Sequence, residues 1–249
     1  MQKLPHLRIL IDGEPQSGAW NMAVDETLLE TAIASDLATL RFYRWREPTA
    51  SLGYFQREAD FLVETRFANL PAVRRLSGGG TLIHDQELTY SLTLPASQRL
   101  IERTLELYDI VHNAIIEVFQ RRGIELRQRG STVHQKNEPL LCFAREDEHD
   151  LVLLGCKVLG SAQRRRRGAI LQHGGLVLGA SFATPELPGI SDLSPPGTRL
   201  SGLEMDLASQ VALAVAESFV SEVLSADEHA RAALLAVETY SSLPRAGRR

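Results

Sequence analysis

The most informative stretch of this chain is Arg74-Arg75-Leu76-Ser77-Gly78-Gly79-Gly80-Thr81-Leu82-Ile83-His84-Asp85. Consecutive glycines lack Cβ atoms, so their backbone can adopt positive φ angles and approach a ligand closely. Their N–H groups can then donate to ligand oxygen atoms, and the two arginines add fixed positive charge. Glycine and serine are also ordinary turn residues, so a simple loop between two strands is the alternative interpretation. The spacing matches neither a Walker phosphate loop nor a dinucleotide-binding fingerprint.

Several further motifs occur in order along the chain. They are Gly18-Ala19-Trp20-Asn21-Met22-Ala23-Val24-Asp25-Glu26, Phe42-Tyr43-Arg44-Trp45, Ser51-Leu52-Gly53-Tyr54-Phe55-Gln56, Lys157-Val158-Leu159-Gly160-Ser161-Ala162-Gln163 and Leu171-Gln172-His173-Gly174. Together with residues 74–85, they resemble the motifs of the lipoate/biotin protein ligase superfamily over roughly residues 7–180. The resemblance implies an α+β catalytic domain in which helices flank a central mixed or antiparallel sheet.

The composition is that of a globular protein without a strong preference for nucleic acid or membranes. The chain has 249 residues, of which 44% are hydrophobic, and its formal net charge is −4. This charge does not favour nucleic acid, and the apolar runs are shorter than the roughly 20 residues that span a bilayer. The first residues lack the apolar stretch of a secretory signal, and two cysteines do not make a disulfide framework. We therefore expect a cytoplasmic protein.

Many short strands mixed with a few helices are typical of an α+β fold. An apolar stripe with a period near 3.6 residues predicts a long helix from about residue 100 to 121. The apolar run at 140–143 predicts a strand. Two closing helices are expected over 205–224 and 227–238.

The chain is long enough for one large domain or two small ones. We expect residues 1–249 to form a single catalytic domain, with its core at about 7–180 and C-terminal helices at about 203–240. Ligases of the superfamily often carry an accessory C-terminal domain. Little room for one remains here, so no separate accessory domain is expected.

Cys142 is the candidate nucleophile. A free cysteine is more often a small apolar core residue, which is the alternative interpretation. In the octanoyltransferase branch of the superfamily, a Cys-Phe pair precedes the Lys-x-x-Gly-Ser-Ala-Gln motif, as Cys142-Phe143 and Lys157 do here. The resemblance implies that Cys142 carries the acyl group as a thioester. Acyl transfer is easier through such an intermediate, because one difficult step is divided into two.

Lys157 is the candidate partner of this cysteine. The thiolate is the reactive form of cysteine, and a nearby ammonium stabilises it. Lysine is usually exposed, but Lys157 lies in an apolar run beside Gly160-Ser161-Ala162. It can also stabilise an oxyanion or carry a proton, and the sequence leaves these roles open. The neighbouring Cys156 is expected to face away from Lys157 on a strand and to lie in the core.

The remaining candidate residues are expected to bind the acyl chain. Leu82 and Ile83 are apolar, as a saturated octanoyl chain requires, and Gly160, Ser161 and Ala162 are small. A lone histidine is more often structural than a base, so both histidines are expected to line the site. The full set is Arg75, Ser77, Gly78, Gly79, Gly80, Thr81, Leu82, Ile83, His84, Gly160, Ser161, Ala162 and His173. We expect no metal site.

Four consecutive arginines follow Gln163, at positions 164–167. A run of like charges is most often a solvated loop. The alternative is that these charges attract an acidic carrier protein to the site.

The resemblance implies an octanoyltransferase that needs no cofactor. It would take octanoate from acyl carrier protein and pass it to a lysine of a lipoyl domain, in glycine cleavage H protein or a dehydrogenase E2 subunit. The second candidate is a lipoate–protein ligase that uses Mg-ATP, in which Lys157 and Arg75 contact the phosphate and Cys142 is incidental. An amidotransferase between lipoyl-bearing proteins and a non-catalytic module that binds acyl carriers are further alternatives. The Ser77–Gly80 sequence has the ligase form, whereas Cys142 favours the transferase.

Overall fold

The computed structural model describes residues 3–98, 104–131 and 139–242. The strands are β1 (Leu7–Ile11), β2 (Thr39–Tyr43), β3 (Thr49–Leu52), β4 (Ala72–Arg74), β5 (Leu82–His84), β6 (Glu87–Leu94), β7 (Arg127–Gln128), β8 (Leu151–Leu153), β9 (Cys156–Arg166), β10 (Ala169–Val177) and β11 (Phe219–Ser221). The helices are α1 (Gly18–Ser35), α2 (Glu58–Leu62), α3 (Thr104–Arg121), α4 (Ile190–Leu193), α5 (Leu203–Val215) and α6 (Ala226–Glu238). Short 3₁₀ turns cover Thr65–Phe67 and Cys142–Ala144.

Eight strands form a mixed sheet in the order β11-β1-β2-β6-β10-β9-β8-β7. Strand β1 runs parallel to both of its neighbours, and the remaining pairs are antiparallel. A second sheet of three strands has the order β4-β3-β5. The expected α+β fold with a central mixed sheet is therefore confirmed.

Helices cover both faces of the large sheet. Side chains alternate between the two faces of a strand, and β1 shows this directly. Leu7 and Ile9 belong to the core that includes α3 and α5, whereas Leu10 belongs to the core of α1 and α6. Because both faces are buried, the sheet is a rigid platform for the side chains that its central strands present.

Two predicted elements were wrong. Residues 140–143 do not form a strand: Leu141 makes one isolated bridge to Thr81, and a 3₁₀ turn follows. The helix expected over 205–224 ends at Val215, and the chain then returns as β11 beside β1. There the Leu7 N–H donates to the Ser218 carbonyl at 3.0 Å, so tertiary hydrogen bonds replace helical ones. The start of the long helix predicted from residue 100 lies outside the described residues.

Candidate active site

A cavity of about 410 Å³ opens between the large sheet and the glycine loop, defined here as residues 75–81. Its volume lies in the range of small-molecule sites. Strands β9 and β10, β5, the glycine loop, helix α3 and the 3₁₀ turn all contribute to its wall. The predicted site residues in this wall are Arg75, Gly78, Gly79, Leu82, His84, Cys142, Lys157, Gly160, Ser161, Ala162 and His173. The fold thus brings motifs that are far apart in sequence to one cavity.

Cys142 begins the 3₁₀ turn in the cavity wall. The Cys142 N–H donates to the Thr81 carbonyl at 2.8 Å, and the Thr81 N–H donates to the Leu140 carbonyl at 3.0 Å. These bonds tie the turn to the glycine loop. The thiol is half-buried, so a substrate in the cavity can reach it. Cys156, which was expected in the core, is also half-buried and lies outside the cavity wall.

The Lys157 ammonium lies against the main chain of Cys142. Nζ donates to the Cys142 carbonyl at 3.3 Å and to the Arg145 carbonyl at 3.4 Å. It also forms an ion pair with the Asp150 carboxylate at 2.8 Å, and these two side chains are only 5% and 3% exposed. Since an ammonium has three N–H donors, these three acceptors hold Lys157 in one position with its charge balanced.

Asp150 is a site residue that the sequence interpretation missed. Its Oδ2 accepts the Asp147 N–H at 2.8 Å and lies 3.6 Å from Arg129 Nε. Burial raises the pKa of the Asp150 carboxyl, and the charge of Lys157 opposes that change. In the sequence, Asp150 is one of several acids within residues 146–150, and only its place directly before the apolar strand β8 distinguishes it.

Because Gly160 has no Cβ atom, the Lys157 side chain can occupy the space beside it. A Cβ atom at this position would lie 2.6 Å from Lys157 Cε and 3.0 Å from Nζ. Gly160→Ala must therefore displace the ammonium from its acceptors. We expect the reaction at this site to slow by about a hundredfold with the fold retained, because a displacement of about 1 Å can have that effect. Turnover rates and circular dichroism check this, with Gly13→Ala, where the added atom meets nothing within 4 Å, as control. Parental activity of Gly160→Ala contradicts it.

The Arg75 guanidinium holds the glycine loop in place. Nη1 donates to the Ser51 carbonyl at 2.7 Å and to the Ser51 hydroxyl at 3.2 Å. Nη2 donates to the carbonyls of Gly78 at 2.8 Å and Gly80 at 2.6 Å. Between them, Gly79 has a φ angle of +94°, which residues with a Cβ atom rarely adopt. A glycine at position 79 is thus needed for this backbone conformation.

A buried Ser–His–Glu chain supports Arg75. His84 Nε2 lies 2.7 Å from Ser51 Oγ, and His84 Nδ1 lies 2.7 Å from Glu87 Oε1. In the tautomer whose Nδ1–H donates to Glu87, Nε2 accepts from the serine hydroxyl, and Ser51 Oγ at the same time accepts from Arg75. The order is that of a hydrolase triad, but Ser51 is buried outside the cavity wall. It therefore orients Arg75 and His84 rather than attacking a substrate.

A second chain supports the other end of the loop. Ser77 Oγ is hydrogen-bonded to His173 Nε2, and His173 Nδ1 lies 3.7 Å from Asp25 Oδ2. Burial alone raises the pKa of the Asp25 carboxyl, but His173 and the Arg41 guanidinium hold that pKa below its ordinary value. Ser77 is buried outside the cavity wall, so this chain also positions the loop.

Ser161 belongs to a polar network beside the cavity. Its Oγ lies 2.8 Å from both Tyr90 Oη and His112 Nε2. His112 Nδ1 donates to the His149 carbonyl at 2.7 Å. Burial lowers the pKa of His112 to about 4, so this histidine is neutral at physiological pH and accepts from Ser161. His112 was not predicted, because in the sequence it is a single polar residue within the apolar stripe of α3.

Four of the predicted residues lie outside the cavity wall. They are Ser77, Gly80, Thr81 and Ile83. Ile83 packs against the core cluster of Ala50 and Leu52, on the side of β5 away from Leu82. Neighbouring residues of a strand face opposite sides, so of these two residues Leu82 faces the cavity and Ile83 faces away from it.

The arginine run forms the end of β9 and the turn that leads to β10. Arg166 pairs with Glu26 of α1 at 2.9 Å, and the Arg164 guanidinium lies 4.3 Å above the Tyr54 ring. Arg167 and Gly168 form the turn with φ angles of 50° and 84°. The prediction of a solvated loop was therefore wrong for residues 164–166, because these residues belong to β9 and pair with β10.

Within residues 3–98, 104–131 and 139–242, no helix has the length and apolar character needed to cross a membrane. In the same residues, no three His, Cys, Asp or Glu side chains are grouped so that they could bind a metal ion.

Sequence comparison finds one matching protein family and several similar proteins. Residues 17–185 match the family described as "Lipoyl protein ligase A/B catalytic domain". Octanoyltransferase LipM of Oceanobacillus iheyensis is 35% identical over 173 residues, which are 68% of this chain and 63% of that protein. Octanoyltransferase LipM of Bacillus subtilis is 36% identical over 179 residues, 68% of this chain and 64% of that protein. The match thus spans less than two thirds of these relatives.

Solved structures show the same fold. A bi-partite lipoate protein ligase from Thermoplasma acidophilum has a TM-score of 0.70 at 18% identity, covering 97% of this chain and 95% of that chain. A lipoate-protein ligase A bound with ATP has a TM-score of 0.70 at 19% identity, covering 96% of each chain. The family match over residues 17–185 shows that the chain belongs to the lipoyl protein ligase A/B catalytic domain family.

Proposed function

We propose that this chain is an octanoyltransferase that works through a thioester on Cys142. One observation carries the proposal: an accessible thiol and a fixed, buried ammonium meet in the wall of one cavity, where Lys157 Nζ donates to the Cys142 carbonyl at 3.3 Å. The name octanoyltransferase, borne by the curated relatives, supports the same chemistry.

In the first step, the Cys142 thiolate attacks the thioester carbonyl of octanoyl-acyl carrier protein. The C–S bond of the donor breaks as a C–S bond to Sγ forms, and the carrier leaves as a thiolate that takes a proton from solvent. The N–H groups of Gly78 and Gly79 donate to no acceptor in the described part of the chain. They are our candidates for stabilising the oxyanion, whereas Lys157 holds the turn that carries Cys142 in place.

In the second step, the neutral ε-amine of a lysine on a lipoyl domain attacks the octanoyl thioester. An amide bond forms, the bond to Sγ breaks, and the Cys142 thiolate returns while the amine releases its proton to solvent. Leu82 and the small residue Ala162 line the cavity in which the acyl chain would lie. We propose glycine cleavage H protein or a dehydrogenase E2 subunit as the acceptor, a cytoplasmic location and a reaction without a cofactor.

An ATP-dependent lipoate–protein ligase is the second candidate, because a protein of the same fold is a ligase bound with ATP. In that reaction Arg75 and Lys157 would bind the phosphate of an acyl-adenylate. Here both terminal nitrogens of Arg75 donate to backbone carbonyls, and Lys157 is paired with Asp150. Both cations would have to give up these partners, so the geometry favours the transferase. An amidotransferase would use the same residues and differ only in its donor.

Comparison of three acyl sources tests this proposal. The protein is mixed with an apo lipoyl domain and either octanoyl-acyl carrier protein, octanoyl-H protein, or free lipoate with Mg-ATP, and the mass of the domain is measured. We expect loading from octanoyl-acyl carrier protein without ATP. Loading from free lipoate alone would identify a ligase, and loading from octanoyl-H protein alone would identify an amidotransferase.

We further propose that the arginine run attracts the acidic carrier. Arg167 is exposed in the turn between β9 and β10. We expect Arg167→Glu to raise the KM for octanoyl-acyl carrier protein severalfold at low ionic strength, because like charges then repel. The effect should shrink as salt screens the charges. An unchanged KM that does not depend on salt contradicts this role.

A further inference from the structure

The cations near Cys142 differ in how their charges are balanced. Lys157 is paired with the Asp150 carboxylate at 2.8 Å, so this buried pair has no net charge. A neutral pair exerts a weaker field on a neighbouring thiol than a single cation does. The Lys157 charge is therefore largely compensated before a thiolate forms.

Arg75 is buried, at 2% exposure, and its charge is not balanced in this way. Its hydrogen bonds go to neutral groups, namely one hydroxyl and three backbone carbonyls. Across the three described ranges, no carboxylate lies within ion-pair distance of it. A buried charge without a counter-ion is costly, so Arg75 favours an anion beside it.

The Cys142 thiol lies beside this cation. The point where a Cβ atom of Gly79 would stand is 3.0 Å from Arg75 Nη2 and 3.8 Å from Cys142 Sγ. The guanidinium and the thiol therefore border the same small space. Burial lowers the pKa of Arg75 to about 10; a negative charge on Cys142 opposes this change, and the Arg145 charge adds to it. Arg75 thus remains a cation at neutral pH.

We infer that Arg75 is the counter-ion of the Cys142 thiolate, and that Lys157 serves acyl transfer without setting the charge of the thiol. Other titratable groups also face this space. They are Arg145 directly after the 3₁₀ turn, Asp150 before β8, Glu146 and Asp147 in the cavity wall, His84 on β5 and His173 on β10. The use of the thiolate in transfer rests on the proposed function, whereas its charge can be measured without any acyl donor.

The rate at which iodoacetamide alkylates Cys142, followed by mass spectrometry across pH, tests this inference. All variants carry Cys156→Ser, because the sequence has two cysteines and Cys142 is then the single thiol. We expect Arg75→Gln to slow alkylation at pH 7 by about tenfold or more, since an opposite charge at this range stabilises a thiolate by that much. Lys157→Met combined with Asp150→Asn removes both charges of the neutral pair, so it should leave the alkylation rate close to that of the parent while it abolishes transfer.

Arg75 also holds the glycine loop through hydrogen bonds, so Arg75→Lys is needed to separate the effect of its charge from the effect of these bonds. It keeps a positive charge but cannot reproduce the fork of the guanidinium. Recovery of most of the alkylation rate in Arg75→Lys supports the inference, with circular dichroism to show that each variant is folded. Equally slow alkylation in both Arg75 variants overturns it, and so does a slow rate in the Asp150→Asn, Lys157→Met double variant with a parental rate in Arg75→Gln. If the alkylation rates follow the expected pattern but the protein transfers no octanoate, the proposed function is refuted and the inference about Arg75 stands.

Discussion

Replacement of Cys142 by serine is expected to abolish octanoyl transfer, whereas replacement of Cys156 leaves it near the parental rate. Cys142 opens into the cavity beside Lys157, and Cys156 lies outside the cavity wall. A serine hydroxyl needs a base to become nucleophilic, and both histidines of the wall are already bonded to buried serines. We therefore expect a loss of about 10⁴-fold or more, as is usual when a nucleophile is removed.

The two variants serve as controls for each other, because each exchanges one sulfur for oxygen in a half-buried side chain. The measurement is the initial rate of octanoyl transfer to an apo lipoyl domain, with circular dichroism to show that each protein is folded. Equal losses in both folded variants would reject Cys142 as the specific nucleophile. Parental activity in Cys142→Ser would reject a covalent route altogether.

Asp150→Asn is expected to lower both the stability and the activity of the protein. The change leaves the Lys157 ammonium buried without a counter-ion, because asparagine carries no charge. Removal of one partner of a buried ion pair lowers the free energy of unfolding by about 3–5 kcal/mol. The ammonium then leaves its place against the Cys142 carbonyl, and we expect transfer to slow by about a hundredfold. Urea denaturation and transfer kinetics measure the two effects.

Two further variants sharpen this prediction. Glu148→Gln removes an exposed charge from the same acidic stretch and should change the free energy of unfolding by less than about 0.5 kcal/mol. Asp150→Asn combined with Lys157→Met leaves no unpaired buried charge, so it should be more stable than Asp150→Asn alone but inactive. Additive losses of stability in the double variant would contradict the ion-pair explanation.

Short-range sequence patterns predicted the parts of the site that depend on local backbone chemistry. The glycine triplet indicated a backbone that a Cβ atom would disturb, and Gly79 indeed has a positive φ angle. The resemblance to a known superfamily selected Cys142 and Lys157, and the fold places them in contact through a main-chain hydrogen bond. Their catalytic roles remain predictions.

The sequence did not reveal which charges balance one another. Asp150 is seven residues from Lys157, in a segment of acids that look alike, and only the β8–β9 hairpin brings the two side chains together. Arg75 looked like a ligand-binding cation, yet its terminal nitrogens hold the glycine loop. The turn at Cys142 could not be predicted either, because its apolar residues suit a strand. Its conformation is set by a hydrogen bond to Thr81, which is distant in the sequence.

The thioester on Cys142 can be observed as a change in the intact mass of the protein after it is mixed with octanoyl-acyl carrier protein in the absence of ATP. We predict a single octanoyl adduct that hydroxylamine removes and that does not form in Cys142→Ser. No adduct on the parent protein, together with ATP-dependent loading of free lipoate onto a lipoyl domain, would contradict the thioester route and leave Cys142 as a packing residue.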